Sequence, residues 1–158
     1  MALPPWLALV RAKVGDALVM IPAAAVMIFD EQGRLLLGRN ARSGEWQSLG
    51  GAVDPDESPA TAAIREAREE IGVEVELLRV IGVYGGPEFR YTYTNGHQCA
   101  FVATAFEARI VAGTVHADGD ELSGLGWFRA DEVDGLPMAP HNRRMVRDAF
   151  ERRPLTSF

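Results

Sequence analysis

Between Gly50 and Val73 the chain reads GGAVDPDESPATAAIREAREEIGV, and no other stretch constrains the fold as much. Ser58 is a good N-cap and Pro59 suits the first helical position. Gly72 is a natural stop. Between them Ala60, Ala63, Ile64, Ala67 and Ile71 recur at helical spacing and form one apolar stripe. The pattern predicts a helix over 59–71 whose small alanines let it approach a sheet closely. Glu66 lies three residues before Glu69 and four before Glu70, so these carboxylates share one arc beside the stripe.

An acidic helix face is ordinarily just solvated, with Arg65 and Glu69 as an i,i+4 pair. Three features weigh against that reading here. The acids lie late in the helix, toward the negative end of its dipole. Glu66 and Glu70 are like charges at i,i+4. The pair Gly50-Gly51 stands just before the helix, with the acidic loop of Asp54, Asp56 and Glu57 between. Oxygen-rich clusters of this kind suit hard cations such as magnesium or manganese rather than zinc.

The rest of the chain supplies a frame of strands. Ala17–Phe29 is apolar and follows Arg11 and Lys13, so it imitates a signal peptide. It is shorter than the ~20 residues a spanning helix needs, and Pro22 interrupts it. It reads instead as a buried strand, followed by a hairpin turn near Gly33 and a second strand in RLLLGR. Trp6–Val14 reads as a short helix ending at Gly15. Val73–Tyr84 is a strand, and Tyr91–Tyr93 pairs with Gln98–Val111 around Asn95-Gly96. Leu125–Phe128 is a short strand and His141–Arg152 a helix. These elements make a mixed α/β domain.

The length of 158 residues suits one domain, and 47% hydrophobic content supplies a core. A net charge of −6 disfavours a nucleic acid polymer or an anionic membrane as partner. Cys99 is the one cysteine, which leaves no internal disulfide and no cysteine-based zinc site. A cytoplasmic location fits that.

Gly51, five residues, Glu57, seven residues, then Arg65-Glu66-Ala67-Arg68-Glu69-Glu70-Ile71-Gly72-Val73 resembles the Nudix box, G-x5-E-x7-R-E-U-x-E-E-x-G-U, with U a bulky aliphatic. Only Ala67 is smaller than usual at a U position. Trp46 ahead of the glycines and GWFRADEV at 126–133 also look like the family, so the resemblance extends over roughly residues 17–150. It implies a Nudix-type α/β/α sandwich with a mixed sheet over 17–158, preceded by a helical extension at 1–16.

The resemblance also implies a chemistry. Nudix proteins typically hydrolyse a nucleoside diphosphate linked to another group, using divalent cations, Mg2+ or Mn2+, held by the box carboxylates. By position, Glu69 and Glu70 resemble the principal metal ligands, Glu66 either a further ligand or a carboxylate that supports the ligands from behind, and the Gly50 carbonyl an additional ligand. Gly51, Glu57, Arg65 and Gly72 look structural, with Arg65 orienting the carboxylates. Several members add a carboxylate from outside the box. Glu121 is the first candidate here, counted with the catalytic set, and Asp120 the second, both in HADGDELSGLGWF. Arg39 and Arg90 are candidates to meet substrate phosphate, and Tyr91 and Tyr93 to stack on a base. Leu49 replaces a common proline, and Asp54 and Asp56 replace common Glu and Gly, which leaves substrate choice open. ADP-ribose or another nucleotide sugar, a CDP-alcohol, a modified nucleoside triphosphate and a dinucleoside polyphosphate all fit, and a homodimer is left open. A noncatalytic nucleotide-sensing domain is the alternative, although such domains often lose box carboxylates. An isoprenoid diphosphate isomerase would need a catalytic cysteine, and Cys99 lies well past the box.

Overall fold

A computed structural model describes residues 4–151. The chain forms α1 (Pro5–Val14), β1 (Val19–Ile28), β2 (Leu35–Asn40), β3 (Trp46–Gln47), β4 (Leu49–Ala52) and α2 (Pro59–Ile71). It continues through β5 (Val73–Tyr84), a single 3-10 turn at Pro87–Phe89, β6 (Arg90–Thr92), β7 (Gln98–Gly113), β8 (Leu122–Phe128), α3 (Ala130–Val133) and α4 (Pro140–Glu151). Arg152, the expected last residue of the final helix, lies outside the described residues.

The main sheet has the order β4-β1-β7-β5, with β6 paired to β7. It is mixed, because β1 runs parallel to β7 while β4, β5 and β6 pair antiparallel. A second, antiparallel sheet has the order β3-β2-β8. Ala24, Val26 and Ile28 of β1 pack with the α2 residues Ala62, Ala63, Ala67 and Ile71 on one face. Ala25 and Met27 pack with Met145, Val146 and Ala149 of α4 on the other. The fold is thus a mixed sheet between helices.

The expected hairpin between the first two strands does not form. A single bridge, Phe29 to Leu35, links the segments, and β2 joins the other sheet. β7 pairs along all of β1 and β4 takes its other edge at Ala23–Val26, which leaves only the end next to the turn open to β2. The turn itself is where the sequence put it. Asp30 accepts from the backbone N–H of Gln32 and Arg34, and its carboxylate pairs with the Arg34 guanidinium at 2.6 Å.

The helix α2 starts and stops as the residues dictate. The Ser58 hydroxyl accepts from the Thr61 N–H at 3.1 Å, and such a cap contributes ~1 kcal/mol. Gly72 closes the helix in the left-handed conformation, φ 70°. Alanine side chains let the helix lie close to β4 and β1, and that brings its acidic arc down against Gly50 and Gly51. Among the described residues, no helix is long and apolar enough to cross a membrane.

Candidate functional site

The site forms where α2 crosses β4. Gly51 is the contact point, since a Cβ there would lie 2.7 Å from the Glu66 carboxyl carbon. Only a residue without a side chain lets that carboxylate rest against the strand. Gly50 has φ 137° and a Cβ on it would come within 2.8 Å of the Ala25 Cα, so glycine is required there as well. The Gly50 N–H donates to Oε2 of Glu70 at 2.8 Å.

Burial separates the three carboxylates. Glu66 is 7% exposed and Glu70 3%, while the Glu69 side chain is 58% exposed. Burial pushes the Glu66 carboxyl up, against the pull of Arg65. Burial pushes Glu70 well above its ordinary value; the Gly50 N–H opposes this, and the charges of Glu66, Glu121 and Asp118 reinforce it.

Arg65 gathers the group. Its Nε and Nη2 donate to the two oxygens of Glu57, both at 3.0 Å. Nη1 donates to Glu66 at 2.7 Å and to Glu69 at 2.9 Å, and Nη2 also reaches the Ala52 carbonyl at 3.0 Å. The guanidinium beside Glu57 holds that carboxyl below the usual range. The same contacts, Glu57 first, raise the Arg65 pKa above its ordinary value. A fork of fixed donors matched to several carboxylates orients them in a way a flexible ammonium does not.

The loop at 114–121 adds a fourth carboxylate. Its backbone docks on the end of α2, where the His116 N–H donates to the Ile71 carbonyl and the Asp118 N–H to the Glu70 carbonyl. Those carbonyls would otherwise be left unpaired at the helix end. The Asp118 carboxylate then accepts from the N–H of Glu121 and Leu122, fixing a tight turn. Glu121 comes close enough for its charge to act on Glu66 and Glu70. Its own carboxyl is pushed up, mainly by burial and then by neighbouring acids such as Asp118.

Glu57, Glu66 and Glu69 are thus tied together by Arg65, Glu66 and Glu70 rest against Gly51 and Gly50, and Glu121 lies within electrostatic reach. Arg39 lies on β2, paired to β8 just beyond Glu121, and Arg90 lies on β6. Arg39 spends its guanidinium on the Gly44 carbonyl, and Arg90 is exposed on β6. Tyr91 and Tyr93 meet edge to face at 4.7 Å, at the surface. Asp118 was not a candidate, although Asp-Gly at 118–119 is a turn signal. Asn142 was also missed. It is buried, and its Oδ1 accepts from the Ser48 N–H and hydroxyl, tying α4 to the segment just before Gly50.

The donor set fits a hard divalent cation. It offers oxygen donors, and two of its carboxylates, Glu66 and Glu70, are buried with one guanidinium for counter-charge. Among the described residues, no three acidic, histidine or cysteine side chains converge into a finished cage. Arg65 holds Glu69 at 2.9 Å, and the Glu69 side chain is 58% exposed.

Comparison with known proteins identifies the family. A family model of the NUDIX domain matches residues 20–149. The "Putative 8-oxo-dGTP diphosphatase" of Bacillus subtilis is 34% identical, over 79% of this chain and 76% of that protein. The NAD-capped RNA hydrolase NudC of Pseudomonas aeruginosa is 33% identical over 74% of this chain, which spans only 38% of NudC. The crystal structure of a MutT NUDIX hydrolase from Burkholderia pseudomallei superposes with a TM-score of 0.66 at 27% identity, over 86% of this chain and 99% of that one.

Proposed function

The chain belongs to the Nudix hydrolase family, and on that premise we propose that it cleaves the pyrophosphate linkage of a small nucleoside diphosphate derivative. The observation that carries this reading is that the buried carboxylates of Glu66 and Glu70 rest against the glycine pair at 50–51, with Glu121 near enough for its charge to act on both. Glu69 and Glu70, with Glu66 and the Gly50 carbonyl, would hold Mg2+ or Mn2+. A bound divalent cation neutralises phosphate charge and lowers the pKa of water.

The protein's own residues set the stage. Arg65 keeps Glu66 and Glu57 in fixed orientations, and the Gly50 N–H fixes one oxygen of Glu70. Glu121 is the general base. Its raised affinity for a proton suits it to take one from the attacking water. The water oxygen then bonds to phosphorus, the bond to the bridging oxygen breaks, and the departing phosphate carries away the electron pair. Substrates in reach of this chemistry are a modified nucleoside triphosphate, a nucleotide sugar such as ADP-ribose, or a CDP-alcohol. The Bacillus subtilis relative, a putative 8-oxo-dGTP diphosphatase, favours the first of these.

The test is a panel of these nucleotides with Mg2+ or Mn2+, read by phosphate release and mass detection. Cleavage of at least one, abolished by chelator, supports the reading. No turnover of any of them, or full turnover after exhaustive chelation, overturns it.

A further inference from the structure

The helix α1 lies outside the residues 20–149 that the family model matches, yet it reaches the site. The Trp6 indole Nε1 donates to Oδ1 of Asp54 at 2.8 Å, across 48 residues of sequence. Asp54 opens the loop that carries Glu57. The Asp54 N–H donates to Oε2 of Glu57 at 3.3 Å, and the Glu57 N–H donates back to the Asp54 carbonyl at 3.0 Å. Both Glu57 oxygens accept from Arg65, whose remaining donors hold Glu66 and Glu69. An unbroken series of hydrogen bonds thus runs from the indole to the carboxylates. We propose that Trp6 is a positioning residue, a latch that holds the 53–58 loop and, through Glu57 and Arg65, fixes the acidic face of α2.

The far end of α1 is anchored independently, so the latch has a firm support. Arg11 is buried, and its guanidinium donates to the carbonyls of Gly15, Ala17 and Gln98 at 3.1, 2.7 and 2.6 Å and to the Cys99 sulfur at 3.2 Å. Leu7 packs on Ile21 and Cys99 beside it. Two clefts of about 580 and 340 Å3 share Trp6, Asp54, Pro55 and Glu57 among their walls. A hydrogen bond that spans such open space governs how far the loop can drift, without governing whether the domain folds.

The effect on the loop stands on geometry alone, while the effect on cation binding rests on the function proposed above. The experiment separates them. Trp6→Phe removes the donor and keeps an aromatic ring. Asp54→Ala removes the acceptor, and Asp54→Asn keeps an oxygen to accept. The full chain carries each change, and the double variant Trp6→Phe/Asp54→Ala closes the cycle. Amide hydrogen exchange over 53–58 is followed in chelator-treated protein, and Mn2+ binding is measured by calorimetry. Loss of one such hydrogen bond is expected to speed exchange there about 3- to 10-fold and weaken Mn2+ binding by a similar factor. The melting temperature should hardly move, Asp54→Asn should behave like the unaltered chain, and the double variant should match Asp54→Ala. Unchanged exchange at 53–58 in Trp6→Phe, or effects of the two single changes that multiply, overturns the latch. Faster exchange in a chain that binds no Mn2+ even unaltered supports the latch and refutes the metal reading.

Discussion

Gly51 on β4 and the Glu66 carboxylate on α2 occupy adjoining space so tightly that a methyl group on the first would overlap the second. Gly51→Ala should therefore displace the carboxylate or lift the helix from the strand. The expected cost is about 1–3 kcal/mol of stability, together with a loss of turnover. Removing the obstacle should reverse the first effect and not the second. Gly51→Ala/Glu66→Ala should melt above Gly51→Ala and remain inactive. Thermal melts and turnover of the two variants check this. Equal melting temperatures would place the strain somewhere other than this contact.

The buried carboxylates predict how the metal-free protein responds to pH. Burial raises the Glu70 pKa well above 4.5, so the folded state binds a proton that the unfolded state has released. The stabilising contribution of that proton is complete below about pH 4.5 and is lost as pH rises through the raised value. Glu66 and Glu121 shift in the same direction. Glu57, lowered by Arg65, acts oppositely and loses its contribution only at more acid pH. Chelator-treated protein should thus be more stable to urea at pH 5.5 than at pH 8, and Glu70→Gln should flatten that difference. A wild-type profile that Glu70→Gln leaves unchanged would show that Glu70 ionises normally.

How much of this was legible from residues alone follows the range of the interactions. The α2 helix was readable because Ser58, Pro59 and Gly72 act within one turn of themselves. The arc of Glu66, Glu69 and Glu70 was readable because a helix fixes spacing. Sheet membership was not. Strands β1 and β2 are both apolar runs joined by a good turn, yet β1 pairs with β4 and β7 while β2 pairs with β3 and β8. Long-range polar contacts were equally hidden. Ser48 meets Asn142 across 94 residues and Trp6 meets Asp54 across 48, and neither pair leaves a local mark. Asp118 was overlooked beside Glu121 because its work is done through backbone N–H groups.

Arg65 should prove irreplaceable by lysine. Its three nitrogens contact Glu57, Glu66, Glu69 and the Ala52 carbonyl at once. A single ammonium can meet only part of that set. Arg65→Ala should lower stability by about 2–4 kcal/mol, since it leaves Glu57 and Glu66 partly buried without their counter-charge. Arg65→Lys should recover little of the stability and less of the turnover. Denaturant unfolding of both variants, with turnover measured beside it, is the check. Lysine restoring both would mean that charge alone, and not the fork, is what the site needs.

Glu69, Glu70 and Glu121 can be told apart from their scaffold by changes that keep shape and remove charge. Glu69→Gln and Glu70→Gln should each lower turnover about 10²- to 10⁴-fold, the scale on which single catalytic groups act. Their metal-free stabilities should diverge. Glu70 is buried among acids, so its neutral amide relieves desolvation and repulsion and should stabilise the apo protein. Glu69 is exposed and paired to Arg65, so its amide should change stability little or lower it slightly. Glu121→Gln should cost turnover on a similar scale while Asp120→Asn should not. Asp118→Ala should cost turnover indirectly, because it frees the turn that presents Glu121. Turnover and melting temperature for all five variants, with and without magnesium, decide among these roles. Near-normal turnover in both Glu69→Gln and Glu70→Gln would sink the metal assignment, and near-normal turnover in Glu121→Gln would move the general base to another group.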